Sequence, residues 1–298
     1  MNTLLAGTLS YLPKWFARPF ANPYVAGESF AEAAQVVRTL NNRGFRATLD
    51  ILGEHVSSPD EARRVKDAYV RLFHDIETEK LDTGVSLKLT HLGLELDRAL
   101  VEENLMTLCD AARETENFLR IDMENSPYTQ ATLELYQACR KRYHQVGTVL
   151  QAYLRRTLDD IAAIGYPQFN VRICKGIYRE SPAIAYQDSE KIRENYFAAV
   201  QAAIQSGAYV AVATHDLPLI GQVETWLQRT AVPADRFEFQ VLYGVPMQGK
   251  LEELREKGYT VRIYVPYGES WFDYSIRRLQ ENPHILGYVL KNIFTSRS

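Results

Sequence analysis

Eight times between Phe45 and the C-terminal end, a short run rich in β-branched and aromatic residues gives way to a stretch of helical spacing. The runs are FRATLDIL (45–52), VSLKLTHL (85–92), FLRIDME (118–124), TVLQAYL (148–154), FNVRICKG (169–176), YVAVATH (209–215), FEFQVLYG (237–244) and VRIYVPYG (261–268). A strand followed each time by a helix cannot fold back on its successor as a hairpin; it returns by a crossover, and such crossovers are right-handed. Eight such units over roughly 240 residues fit the size and order of a (β/α)8 barrel, and an open doubly wound sheet would not need eight equal repeats. Helix signals agree: Ser58 caps a helix with Pro59 at its first position that runs to Glu79, and another spans Asp188 to Gln205. Residues 1–44, with the helical pattern ESFAEAAQVVRTLNNRG after an aromatic, proline-containing stretch, are expected to form an N-terminal helical cap on a barrel domain of residues 45–298.

Strands of a parallel barrel are ordinarily apolar on both faces. These alternate instead. Leu119, Ile121 and Met123 alternate with Arg120, Asp122 and Glu124, and Val171 and Ile173 with Asn170 and Arg172. Ser86, Lys88 and Thr90 interleave with Val85, Leu87 and Leu89, while other strands supply Gln151, Tyr153, Glu238, Gln240, Arg262 and Tyr264. With the apolar set against the helices, the polar set lines the barrel, where each unpaired charge costs several kcal/mol. Arg120, Glu124 and Glu238 suit a structural ion-pair network. A polar face on most strands, concentrated toward their C-terminal ends, exceeds what packing requires and falls where barrel enzymes place their chemistry.

The formal charge of −3 and pI near 6.1 give no global basic field for nucleic acid. Cys109, Cys139 and Cys174 are widely spaced, which predicts neither disulfide framework nor zinc knuckle and points to a reducing, cytoplasmic setting. The histidines form no HxH or HExxH pair, so no metal site is expected; His215, ending the sixth run, is the one placed for the barrel mouth, as a structural histidine or a ligand contact. GxGxxG and P-loop patterns are absent, which leaves a flavin held by a barrel open. Lys88 raises a second possibility, a Schiff-base lyase, which needs a lowered lysine pKa; Asp122, expected beside it, would oppose that by favouring the ammonium form. A noncatalytic barrel that binds amino acids is a third. After the last strand, Arg277 and Arg278 stand side by side. Asp273, Arg277 and Glu281 have the spacing of a solvated salt-bridge ladder, whereas the paired planar forks also suit a carboxylate ligand.

TLDILGE (48–54), SLKLT (86–90), IDMENS (121–126), QAYLRR (151–156), RICKGIY (172–178), ATHD (213–216), EFQVLYG (238–244) and RIYVPYG…YSIRRLQE (262–281), taken in this order, resemble the proline dehydrogenase family from about Ala26 to the C-terminal end. The resemblance implies a (βα)8 barrel that holds FAD and oxidises L-proline to 1-pyrroline-5-carboxylate, the first step of proline degradation. It implies Asp122 and Arg172 as catalytic residues, with Arg172 beside flavin N5. Arg277 and Arg278 would clamp the proline carboxylate, Lys88 would join the polar side of the pocket, and Tyr264, Tyr274, Leu242 and Tyr178 would surround the substrate. Gln151, Lys175, Gly176, Ile177, Met123, Thr214 and His215 would hold the flavin, and Glu54 would gate the site by pairing with an arginine. Ile177 departs from the alanine common in the family. A membrane quinone is the implied electron acceptor, with peripheral contact at the inner face of the membrane.

Chemically, removing a hydride from the carbon beside the ring nitrogen leaves an imine, and only the neutral amine has the lone pair to expel it. Cations nearby disfavour the protonated amine.

Overall fold

The computed structural model describes residues 23–165, 169–272, 274 and 275. Eight parallel strands close into a barrel in sequence order: β1 (Arg46–Ile51), β2 (Thr83–Leu87), β3 (Leu119–Ile121), β4 (Val146–Gln151), β5 (Asn170–Cys174), β6 (Tyr209–Ala213), β7 (Phe237–Leu242) and β8 (Val261–Tyr267). β8 closes onto β1 with Ala47 opposite Ile263 and Leu49 opposite Val265. The expected barrel is present, and each strand falls within or beside its predicted run. The runs overshoot at their C-terminal ends, most in the second, where the chain leaves β2 at Leu87 and makes a 3-10 turn at Thr90–Leu92. Lys88, Asp122, Glu124, Thr214 and His215 therefore stand just past the strands, on the loops that frame the mouth.

Crossover helices follow the capping signals. Ser58 accepts from the amide of Glu61 and starts the Pro59–Thr78 helix, and Asp188 caps Ser189–Gln205 through Glu190 and Lys191. Before β1, Ser29 and Glu32 form a reciprocal capping box that opens α1 (Phe30–Asn42). This helix packs on β1 and β8, the groove between the first and last strands, with Ala33, Ala34 and Val37 fully buried. The chain ahead of α1 is tied to the end of β8, since the Ala26 amide donates to the Pro266 carbonyl.

Apolar strand residues such as Leu119, Ile121, Val171, Ile173, Val210 and Val212 meet the helices in one continuous core. Their neighbours point inward, and Arg120, Glu238, Gln240 and Arg172 are all buried. Arg120 and Glu238 belong to the expected inner charge layer, in which Glu238 is bound by Arg262 at 2.9 and 3.1 Å. Glu124 does not join it. Its carboxylate accepts from the amide and hydroxyl of Thr90, because it stands two residues beyond β3 and above that layer.

Gly244, after β7, sits at φ +77°, where an added Cβ would lie 1.7 Å from the Pro23 carbonyl oxygen. Gly244→Ala should lower stability by about 1–3 kcal/mol. Gly221, inside the Leu217–Arg229 helix with nothing near it, should tolerate alanine or gain up to about 1 kcal/mol. Equilibrium unfolding of the two variants checks the contrast.

Candidate active site

A cavity of about 570 Å³ opens at the C-terminal end of the barrel. Lys88, Asp122, Met123, Gln151, Arg172 and Tyr264 line its floor and walls from five strands or their immediate continuations. The loop after β5 adds Lys175, Gly176, Ile177 and Tyr178; Thr214 and His215 follow β6, and Leu242 ends β7. Glu54 comes from beyond β1, and Tyr274 from the segment after β8. The described site residues read from the sequence thus meet around one space. Arg277 and Arg278, with the remainder of the expected helix carrying Asp273 and Glu281, lie outside the described residues.

Asp122 organises the floor. Its Oδ1 accepts from the Ser86 hydroxyl at 2.8 Å and from Arg172 Nη1 at 2.6 Å, and its Oδ2 from the Tyr264 hydroxyl at 3.0 Å. Arg172 also donates Nε to Gln240 Oε1 at 2.6 Å and lies over the Tyr264 ring at 5.1 Å. One guanidinium nitrogen, Nη2, is buried without a hydrogen-bond partner among the described residues, in a residue that lines the cavity. A fixed donor left open in this way suits an acceptor atom of a bound molecule.

The expectation that Asp122 is the carboxylate at Lys88 needs correcting. Lys88 Nζ donates to Asp50 Oδ2 at 3.0 Å. Asp50 points inward from β1, pairs in register with Ser86, and also accepts from the Tyr69 hydroxyl at 3.3 Å. Burial alone would lower the Lys88 pKa, but Asp50, with further help from Asp122 and Glu54, outweighs it and raises the ammonium above its ordinary range. That is the opposite of what a Schiff-base lysine requires.

Around the rim, Gln151 donates to the Glu124 carbonyl at 2.8 Å, which fixes its amide at the cavity edge. His215 Nε2 accepts from the Leu242 amide at 3.0 Å, so the ring is neutral there and joins the tops of β6 and β7. Lys175 and Arg193 both reach Asp216 Oδ2, at 2.5 and 2.6 Å, and Asp216 caps the Leu217–Arg229 helix through the Leu219 amide. Asp50, Gln240, Asp216 and Tyr24 are the polar residues at the site that the sequence does not single out, Gln240 being expected inside the barrel without a role. Asp50 had a legible signal, since Thr48 and Asp50 alternate with Leu49 and Ile51 as the polar residues of other strands do. Among the described residues no group of three His, Cys, Asp or Glu side chains could hold a metal ion.

A closed parallel barrel with convergent charged groups at its C-terminal mouth defines the enzyme-type barrel class. Comparison with known sequences makes the assignment specific, because residues 33–289 match the proline dehydrogenase family. The chain is 37% identical to Proline dehydrogenase 1 of Bacillus subtilis subsp. natto over 273 residues, covering 92% of this chain and 90% of that protein. It is 34% identical to the proline dehydrogenase of Deinococcus radiodurans over 278 residues, 92% of this chain and 89% of that protein. Among solved structures, proline utilization A from Bdellovibrio bacteriovorus, inactivated by N-propargylglycine, superposes with a TM-score of 0.82 at 25% identity. That match covers 88% of this chain and 32% of the larger protein, so the chain spans about a third of it. The chain belongs to the proline dehydrogenase family.

The Lys88–Asp50 pair makes a stability prediction independent of any ligand. Asp50→Asn should cost about 3–5 kcal/mol near neutral pH, because it strands a buried ammonium. Adding Lys88→Met should recover much of the loss. Since the folded-state pKa of Lys88 is raised, its contribution is present below the lysine's ordinary value and lost as pH climbs through the folded one. The gap between wild type and Asp50→Asn should therefore shrink at alkaline pH, and also in acid, where Asp50, its pKa raised by burial, takes up a proton and the wild type loses the pair too; denaturant titrations across pH measure it.

Proposed function

We propose that this chain oxidises L-proline to 1-pyrroline-5-carboxylate, opening proline degradation to glutamate, with FAD as its cofactor. The observation that carries this reading is the open Nη2 donor of Arg172, held by Asp122 and Gln240 at the wall of the cavity that gathers the family-matched residues. It suits a ring system rich in acceptor atoms. Arg172, Gln151 and the Met123 backbone would hold the flavin ring, while Lys175, Gly176, Ile177, Thr214 and His215 would hold the remainder. When bound, FAD supplies the acceptor for the hydride that leaves the carbon beside the proline nitrogen.

The protein's own groups prepare that departure. Arg277 and Arg278 would clamp the carboxylate with paired donors, and Tyr264, Tyr274, Leu242 and Tyr178 would confine the ring. Lys88, kept charged by Asp50, adds a fixed cation beside the substrate. Together these cations disfavour the protonated amine and leave the nitrogen lone pair available. Asp122 positions Arg172 and Tyr264 at once, and its role is to fix this geometry. Glu54 would close the entrance by pairing with one of the arginines. Electrons would pass to a membrane quinone through peripheral contact by a protein otherwise in the cytoplasm. Among the described residues no helix is long and apolar enough to cross a membrane.

The test is spectroscopic. The purified protein should carry the visible flavin band, and L-proline should bleach it without air. A five-membered ring acid with ether oxygen in place of NH keeps the carboxylate and the ring but donates its lone pair poorly; it should compete with proline and leave the band unbleached. A colourless protein trapped on Lys88 by borohydride with a carbonyl substrate would establish the lyase instead. Stabilisation by proline without turnover would establish a binding barrel.

Arg278→Lys keeps the charge and loses the fork. The apparent KM for proline should rise by the equivalent of about 1.5–3 kcal/mol with flavin content unchanged. Steady-state kinetics alongside the absorption spectrum reads both, and an unchanged KM would return Arg278 to a surface ladder.

A further inference from the structure

The opposite end of the barrel holds a second polar cavity, of about 450 Å³, lined by inward residues of the N-terminal layer that include Arg120, Asn170, Tyr209, Glu238 and Arg262. Its exposed rim carries Arg46 and Lys80 beside Glu77, Asp82 and Glu116, but in the inner layer Arg120 and Arg262 stand against one carboxylate. Glu238 is the carboxylate of this inner layer, and it is already engaged by Arg262 Nε through both oxygens and by the Tyr209 hydroxyl at 3.1 Å. Arg46, at the rim, pairs with Asp82 at 3.4 Å. Among the described residues Arg120 has no ion-pair partner. It is 2% exposed, its Nη1 donates to the Thr148 carbonyl at 2.9 Å, and its Nε has no hydrogen-bond partner among the described residues. Asp122, two residues on, is held by Arg172, Ser86 and Tyr264.

Strand register sets what stands beside this guanidinium. Arg120, Gly147 and Asn170 occupy one row across β3, β4 and β5. The middle position has no side chain, and an added Cβ would lie 2.7 Å from Arg120 Nη1 and from the Phe118 ring. Arg120 therefore lies across Gly147, over the Phe118 ring at 4.8 Å from its centre, with Asn170 next in the row on β5 and lining the same cavity. The Asn170 carbonyl oxygen is buried and unpartnered too, and rotation of that amide would present two N–H donors to the same space.

From the unpaired buried guanidinium, the orphaned polar groups and the cavity they face, we infer a second binding site at the N-terminal end of the barrel, for a small oxyanion of the carboxylate or phosphate type. Burial, followed by repulsion from Arg172, pushes the Arg120 guanidinium down to about 9, the direction a bound anion would reverse. The site is separate from the proline site and does not depend on that reading.

Thermal unfolding of the flavin-loaded, full-length protein tests it, with phosphate and acetate each titrated against chloride at matched ionic strength. One oxyanion should raise the midpoint by on the order of 3–5 °C near saturation, while chloride leaves it flat; which one does so names the source. Arg120→Met should abolish the increment. Asn170→Asp places a carboxylate in the same row and should raise the basal midpoint while removing the anion response, a readout that survives if Arg120→Met does not fold. Equal responses to all three salts, no response at all, or an oxyanion response that persists in either folded variant would overturn the site and leave a cavity of water.

Discussion

Asp122 is the contact on which the upper barrel depends. A carboxylate just past β3 receives donors from β2, β5 and β8 through Ser86, Arg172 and Tyr264, and so ties non-neighbouring strands across the lumen. Strand pairing alone fixes only adjacent neighbours. The chain of contacts continues downward: Arg172 binds Gln240, Gln240 donates to Glu238, and Glu238 binds Arg262 and Tyr209. A barrel filled with valine and leucine would be held by packing. This one is held by a buried hydrogen-bonded chain in which removing one member leaves its partners as uncompensated charges. Rigidity of that kind holds the Arg172 guanidinium at the cavity wall without letting it relax onto a neighbour.

The N-terminal helix belongs to the same economy of space. α1 covers the groove between β8 and β1. Tyr274 lines the mouth, buried with Val25, Leu52 and Trp271. The link between the Ala26 amide and the Pro266 carbonyl couples the two ends of this arrangement, and Trp271 adds a bond from its indole N–H to Glu28 at 3.0 Å. The segment that carries Arg277 and Arg278 begins from this fixed platform.

The barrel was legible because periodicity reports burial directly. Eight alternations of period two and period 3.6 leave few topologies, and the polar member of each alternation pointed inward as its chemistry required. Strand ends were less legible. Lys88, Asp122 and His215 continue the alternation in sequence, yet the ladder stops before them because the strands splay into loops at the mouth. Pairing was the least legible. Lys88 could be placed in the lumen from its own strand, but whether Asp50 or Asp122 meets it is decided by stagger between strands, and stagger leaves no trace in a single sequence. Glu124 shows the same limit, since an alternation that predicts an inner charge ends at Thr90 instead.

The two ends of the lumen differ in one physical respect that orders the whole interior. At the mouth every described cation on the floor has its own carboxylate, Lys88 with Asp50 and Arg172 with Asp122, so the donors left over are directional and few. At the base one buried carboxylate, Glu238, stands among Arg120, Arg262 and the Arg172 above; burial would favour its acid form, but Arg262, helped by Gln240 and Arg120, outweighs that and holds its pKa below the ordinary range. Paired charges fix geometry with little net field, whereas an unpaired buried charge projects a field that low-dielectric walls transmit. Repulsion between Arg120 at the base and Arg172 above it runs along the lumen, and it adds to burial in lowering the Arg120 pKa.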